Sequence, residues 1–137
     1  MHQKLIKVLA RGLVVWFVII FVESLHGVAR GLFLAPMLGD FRARQVSVFI
    51  GAGIIVAITF VFVRWLKGSR IIDFFLVGSS WVVLTIGFEV SLGRFVMELS
   101  WERIASDYDL ANGGLMPLGL LVMLLAPVTL AKMYDEI

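Results

Sequence analysis

The sequence predicts an all-α membrane protein: an antiparallel bundle of four transmembrane helices, with a short amphipathic interfacial helix between the third and fourth spans. Three observations carry this prediction. Of the 137 residues, 61% are hydrophobic and only 16% are charged, with a mean hydropathy of +1.00, whereas soluble domains hold about 25% charged residues. The apolar residues come in long runs rather than in stripes that would fold around a private core. Four runs approach the roughly 20 apolar residues that a helix needs to cross the hydrocarbon layer. The length is that of one domain, so residues 1–137 are read as a single integral membrane unit. The absence of cysteine excludes disulfides, thiolate metal sites, covalent haem attachment and cysteine nucleophiles.

The first span covers about 12–29, between Arg11 and Arg30, and holds Glu23 and His26. Those two polar residues sit badly between the core and the cleavage site of a signal peptide, so this helix is read as uncleaved. Segment 31–45 is too apolar for a free loop and too broken for a span. Pro36 and the Gly39-Asp40 pair are turn signals, and the segment is placed in the membrane interface with Arg42 and Arg44 at headgroup level. The second span, 46–63, is an uninterrupted apolar run. The third, 71–93, contains Asp73 and Glu89, and Asp73 lies within reach of the interface beside Arg70.

Segment 98–109 is read as the amphipathic helix. Ser100 is its N-cap, Glu102 favours its first turn, and Trp101, Ile104, Ala105 and Tyr108 share one face. Trp101 and Tyr108 are taken as interfacial anchors. Asn112-Gly113-Gly114 breaks this helix, and the fourth span, 110–131, carries Pro117 in its first turns, where a missing N–H costs least. Short joints make the spans run up-down-up-down.

The charges divide unevenly. Lys4, Lys7, Arg11, Arg64, Lys67, Arg70 and Lys132 fall on the side of both termini, and Arg30, Arg42, Arg44, Arg94 and Arg103 on the other. The excess of basic residues beside the termini predicts that both termini are cytoplasmic. Every basic residue on the far side is arginine, which forms planar, persistent, bidentate pairs. Asp40, Glu98, Glu102, Asp107 and Asp109 lie on that side too, so it reads as a structured cap.

Glu23 and Glu89 are ionisable groups inside spans, which are rare, costly and in need of a partner. His26 and Arg30 lie at i+3 and i+7 from Glu23, on its own helix face, and are expected to neutralise it. Arg94, at i+5 from Glu89, points about 140° away, so Arg30 or Arg42 is the expected partner there. The candidate intramembrane polar cluster is therefore Glu23, His26, Arg30, Glu89 and Arg94. Arg42, Arg44 and Arg103 are candidate contacts for an anionic ligand or a lipid headgroup. Ser47, Gly51, Ile55 and Thr59 on the second span, and Gly78, Trp81, Thr85 and Glu89 on the third, each share a face whose small residues suit close helix packing.

The first and third spans end in similar wording, Phe21-Val22-Glu23-Ser24-Leu25-His26-Gly27 and Phe88-Glu89-Val90-Ser91-Leu92-Gly93-Arg94, which suggests a parallel repeat about an axis along the membrane normal. Glu23-Ser24-Leu25-His26 is formally a Glu-x-x-His half-site, but a di-iron bundle needs two. The other histidine, His2, falls on the opposite side, so no metal or cofactor is expected. There is no serine elbow, no phosphate-cradling glycine loop and no basic stretch with stacking aromatics. Neither an enzyme nor a nucleic-acid partner is expected.

The wording Glu23-Ser24-Leu25-His26-Gly27 with Arg30-Gly31-Leu32-Phe33, then Gly39-Asp40 with Arg42-Ala43-Arg44-Gln45, resembles a group of small four-span bacterial membrane proteins with no assigned activity. So do Ser100-Trp101-Glu102-Arg103-Ile104, Asp107-Tyr108-Asp109-Leu110 and Gly113-Gly114-Leu115-Met116-Pro117-Leu118-Gly119. The resemblance implies a bacterial inner membrane and no mechanism. Glu23 also resembles in kind the first-span glutamate of small four-span cation exporters, whose glutamate lies deeper and which lack an arginine-rich cap. The expected function is a non-enzymatic accessory, assembly or scaffold component that oligomerises or binds a larger membrane complex. The alternative is a small dimeric transporter or channel using Glu23 and Glu89 with the arginine cap, its partners being the lipid bilayer and a second copy. Carboxylates sealed by arginines favour the first, and carboxylates sharing an open cavity the second.

Overall fold

A computed structural model describes residues 2–134. Helix α1, His2–Ala29, runs on through a π-helical turn, Arg30–Leu34, into the short α2, Ala35–Leu38. Gly39 then breaks the chain at φ +84°, a conformation that side chains with a Cβ rarely adopt, and α3 starts at once as Asp40–Phe62. The remaining helices are α4, Ile71–Ser91, extended by a second π-helical turn, Leu92–Val96; α5, Trp101–Ser106; and α6, Met116–Met133. No strand occurs among the described residues. Four stretches, Gln3–Leu38, Asp40–Phe62, Ile71–Val96 and Met116–Met133, are long and apolar enough to cross a membrane. The expected four-helix membrane bundle is thus present.

Some boundaries differ from those expected. Segment 31–45 turns at Gly39-Asp40 as expected, but Pro36 marks no turn, lying in the first turn of α2 with helix on both sides of it. Residues 110–115 are a 3₁₀ turn and a glycine corner before α6, because Gly113, at φ +91°, stops helix growth.

The long helices form a ring in which α1 packs on α3 and α4, and α6 packs on the same two. A twofold axis along the membrane normal would set the first and third spans on a diagonal. They are neighbours, so the suggested repeat is not expressed in the packing. Lys4 Nζ donates to Ser69 Oγ (2.9 Å), and the Arg64 guanidinium lies 5.4 Å from the centre of the Tyr134 ring. Both helix termini and the α3–α4 joint therefore share one end of the bundle, and the arginine-rich segments share the other. At the first end Asp73, only 2% exposed, accepts the backbone N–H groups of Ser69 and Arg70 and pairs with the Arg70 guanidinium at 2.9 Å. Burial there is offset by three donors.

Phe21, Phe49 and Val83 face outward with about two-thirds of their surface exposed, as lipid-facing residues do. Inside, Trp81 Nε1 donates to the Gly12 carbonyl (2.8 Å). Trp16 Nε1 donates to Thr85 Oγ1 (3.0 Å), which itself donates to Met123 Sδ (3.2 Å). These bonds tie α1, α4 and α6 together at mid-height. The buried face of α3 is Ala43, Ser47, Gly51, Ile55 and Thr59, the fourfold spacing seen in the sequence with Ala43 added. On α4, Gly78 meets the Leu124 backbone so closely that a Cβ there would collide with the Leu124 carbonyl oxygen. Gly78→Ala must push α4 from α6, and the expected cost is about 1–3 kcal/mol. Gly87→Ala, with open space around it, should change stability by less than about 0.5 kcal/mol; unfolding of both variants in detergent measures the contrast.

Candidate functional site

Above the tryptophan layer, the ring opens into a cavity of about 550 Å³, within the usual range of about 300–1,000 Å³ for small-molecule sites. Its floor is Thr85 and Met123, with Ile20 and Ile55 beside them. One face of α1 contributes Glu23, His26 and Arg30; α3 contributes Arg44, Ser47 and Gly51; α4 contributes Thr85 and Glu89. The turn after α5 brings Asp107 and Tyr108 over the top, and the N-terminal half of α6 closes the remaining side. Helical spacing explains the convergence. Glu23, His26 and Arg30 recur every three to four residues on α1, as do Thr85 and Glu89 on α4.

The cap is an ion-pair ring. Arg44 pairs with Asp40 (3.0 Å) and with Asp107, and Arg103 pairs with Asp107 (3.1 Å) and Asp40 (3.5 Å). The helix start at Asp40 is thereby bolted to α5. Ser100 is the N-cap of α5 as expected, accepting the Arg103 N–H at 3.1 Å. Gln45 reaches across to the Gly113 carbonyl (2.9 Å) and fixes the corner before α6. Four charges thus satisfy one another above the cavity.

The two carboxylates below the cap are not satisfied in this way. Neither Glu23 nor Glu89 is in an ion pair or hydrogen bond with any described residue. Glu23 lies against the α3 backbone at Gly51, where a Cβ would stand 2.8 Å from Oε2. Its Oε1 is buried without a partner, as are His26 Nε2, Ser47 Oγ and the Tyr108 hydroxyl. Glu89 is exposed to the cavity. Arg30, the expected partner, lines the cavity and bears electrostatically on Glu89, yet forms no ion pair with it.

The expected cluster of Glu23, His26, Arg30, Glu89 and Arg94 is therefore brought together without Arg94. That guanidinium donates to the Leu99 carbonyl (3.0 Å) and sits 4.7 Å above the Trp101 ring, supporting the loop into α5. Of the candidate anion contacts, Arg44 and Arg103 line the cavity but are engaged by aspartates, while Arg42 is exposed outside it. Trp101 is outward and 58% exposed, whereas Tyr108, expected as its companion anchor, turns its hydroxyl inward. The reason is the length of α5: it ends at Ser106, so Tyr108 no longer continues the Trp101 face.

Both π-helical turns begin just beyond the glutamates, at Arg30 and Leu92, and such turns concentrate at functional sites. The two turns share Gly-x-Phe wording, Gly31-Leu32-Phe33 and Gly93-Arg94-Phe95. No group of three or more metal-ligating side chains exists among the described residues. Compared with protein families, curated proteins and solved structures, the chain matches none.

Burial, with Glu89 and Asp107 nearby, pushes the Tyr108 phenol up to about 12, because each disfavours the phenolate. In a Tyr134→Phe variant, where Tyr108 is the remaining tyrosine, tyrosinate absorbance should rise with a midpoint near 12. A midpoint near the ordinary value of about 10 would place the hydroxyl in water.

Proposed function

We propose that this is a small transporter of cations, set in a bacterial inner membrane with both termini cytoplasmic, and that Glu23 and Glu89 together form its binding site. One observation carries the reading: the two intramembrane carboxylates face a single open cavity, and neither is neutralised by an arginine. Two unpaired carboxylates in an apolar layer are costly unless a cation or proton joins them. The accessory or scaffold reading drew on carboxylates sealed by arginines. Here the ion pairs fall on Arg44 and Arg103, with Asp40 and Asp107 as their acids.

In this orientation the cavity opens toward the outer face, and the Trp16–Thr85–Met123 layer closes it toward the cytoplasm. Passage requires that this layer move, since the core beneath it is filled by Trp81, Val77, Phe74 and Leu66. Four helices leave little room for a second path, so the working unit is taken to be a dimer.

The test uses the full chain in proteoliposomes with ethylammonium as the probe cation. An ethylammonium gradient should drive flux that falls at least tenfold in Glu23→Gln and in Glu89→Gln, with the protein still folded and inserted. Absence of flux in the parent protein, together with loss of assembly in both variants, would overturn transport in favour of a scaffold.

A further inference from the structure

The cavity carries a guanidinium on its wall as well as two carboxylates. Arg30 lines it with no ion pair to any described residue. A pocket built for a bare cation gains nothing from a guanidinium, which repels it. An unpaired guanidinium calls for an anionic group on the ligand, and its planar fork of five donors suits a phosphate. Two further hydroxyls belong to residues of the cavity wall and are buried there without partners: that of Ser47, whose residue is only 6% exposed, and that of Tyr108. Both can donate to phosphate oxygens. At the other end of the charge pattern, an ammonium offers three N–H donors to the carboxylates of Glu23 and Glu89.

We propose, resting on the cation-binding reading above, that the ligand is an ammonium–phosphate zwitterion, its ammonium held by Glu23 and Glu89 and its phosphate by Arg30. The two acids against one base leave the pocket one negative charge in excess, which disfavours ligands that are anionic overall. The cap does not alter that balance, because Arg44 and Arg103 are matched by Asp40 and Asp107. Val28 and Met97, apolar and 61% and 55% exposed, also line the cavity. They give it an apolar edge on which an acyl chain can lie while the headgroup sits among the charges. The zwitterion has two sources, the headgroup of a phosphatidylethanolamine-type lipid or a soluble aminoalkyl phosphodiester.

The experiment measures binding to the full chain in mild detergent, by calorimetry for soluble probes and native mass spectrometry for lipids. The probes are ethylammonium, glycerophosphoethanolamine (a soluble phosphodiester that is neutral overall), phosphatidylethanolamine and phosphatidylglycerol. The parent protein should bind at least one of the two zwitterions about tenfold more tightly than ethylammonium, and should bind phosphatidylglycerol least. Arg30→Gln should erase the zwitterion's advantage over ethylammonium, with ethylammonium, relieved of the guanidinium's repulsion, bound at least as tightly as by the parent protein, and Arg30→Lys should restore part of the advantage. Preference for the lipid over glycerophosphoethanolamine assigns the headgroup as the source; the reverse assigns the soluble diester. Equal binding of ethylammonium and both zwitterions, or an unchanged zwitterion preference in Arg30→Gln, overturns the phosphate assignment and leaves cation binding standing. Failure of the parent protein to bind any amine overturns both.

Discussion

A carboxylate carried on a helix that crosses a bilayer must find a counter-charge, a proton or water, because the hydrocarbon layer offers none of them. Glu23 and Glu89 pose this problem twice, on neighbouring parallel helices and toward the same end of the bundle. The rest of the architecture reads as its solution. Both side chains turn into the ring instead of toward lipid, Gly51 removes the side chain that would displace Glu23, and the helices part above Thr85 to leave space. Of the arginines at that end, Arg44 and Arg103 are occupied by aspartates and Arg94 by a backbone carbonyl and a tryptophan ring, while Arg30 lines the cavity without forming an ion pair with either glutamate.

Two layers make that space possible. Below it, the Trp16 and Trp81 indoles satisfy their N–H groups across helices, on Thr85 and on the Gly12 carbonyl, so the large rings are buried without orphaned donors. Gly78 lets α4 and α6 touch backbone to backbone at that level, and dispersion between close-packed helices is the main adhesion available in lipid. Above it, the ion-pair ring of Arg44, Arg103, Asp40 and Asp107 holds α5 over the opening. A hydrophobic cap would leave the Asp40 turn unsupported. The bundle is therefore rigid at its middle and bolted at its top, with unsatisfied polarity concentrated between.

The spans were legible from run length, because hydrocarbon thickness acts on each helix separately and needs no knowledge of neighbours. The N-cap at Ser100, the small-residue face of α3 and the arginine–aspartate cap were legible for a similar reason, each being a local pattern or a charge count. What escaped the sequence depended on rotation and on distant partners. Arg30 shares a helix face with Glu23, yet that spacing gave it no ion pair with the carboxylate. Arg94 left the cluster once the loop after α4 offered it the Leu99 carbonyl and the Trp101 ring. Tyr108 moved from the surface to the cavity because α5 stops two residues before it. The π-helical turns after both glutamates change the helical phase locally, and a periodicity of 3.6 residues cannot anticipate that.

The cavity's access to water is open to a direct measurement, since the chain contains no cysteine. Glu89→Cys places a thiol at an exposed position of the cavity wall, and Thr59→Cys places one on α3, buried below the tryptophan layer. With a charged, membrane-impermeant thiol reagent applied to the intact full chain from the arginine-rich side, the thiol at position 89 should be modified at least tenfold faster than that at 59. Equal, negligible modification of both would mean that Glu23 and Glu89 share no open cavity.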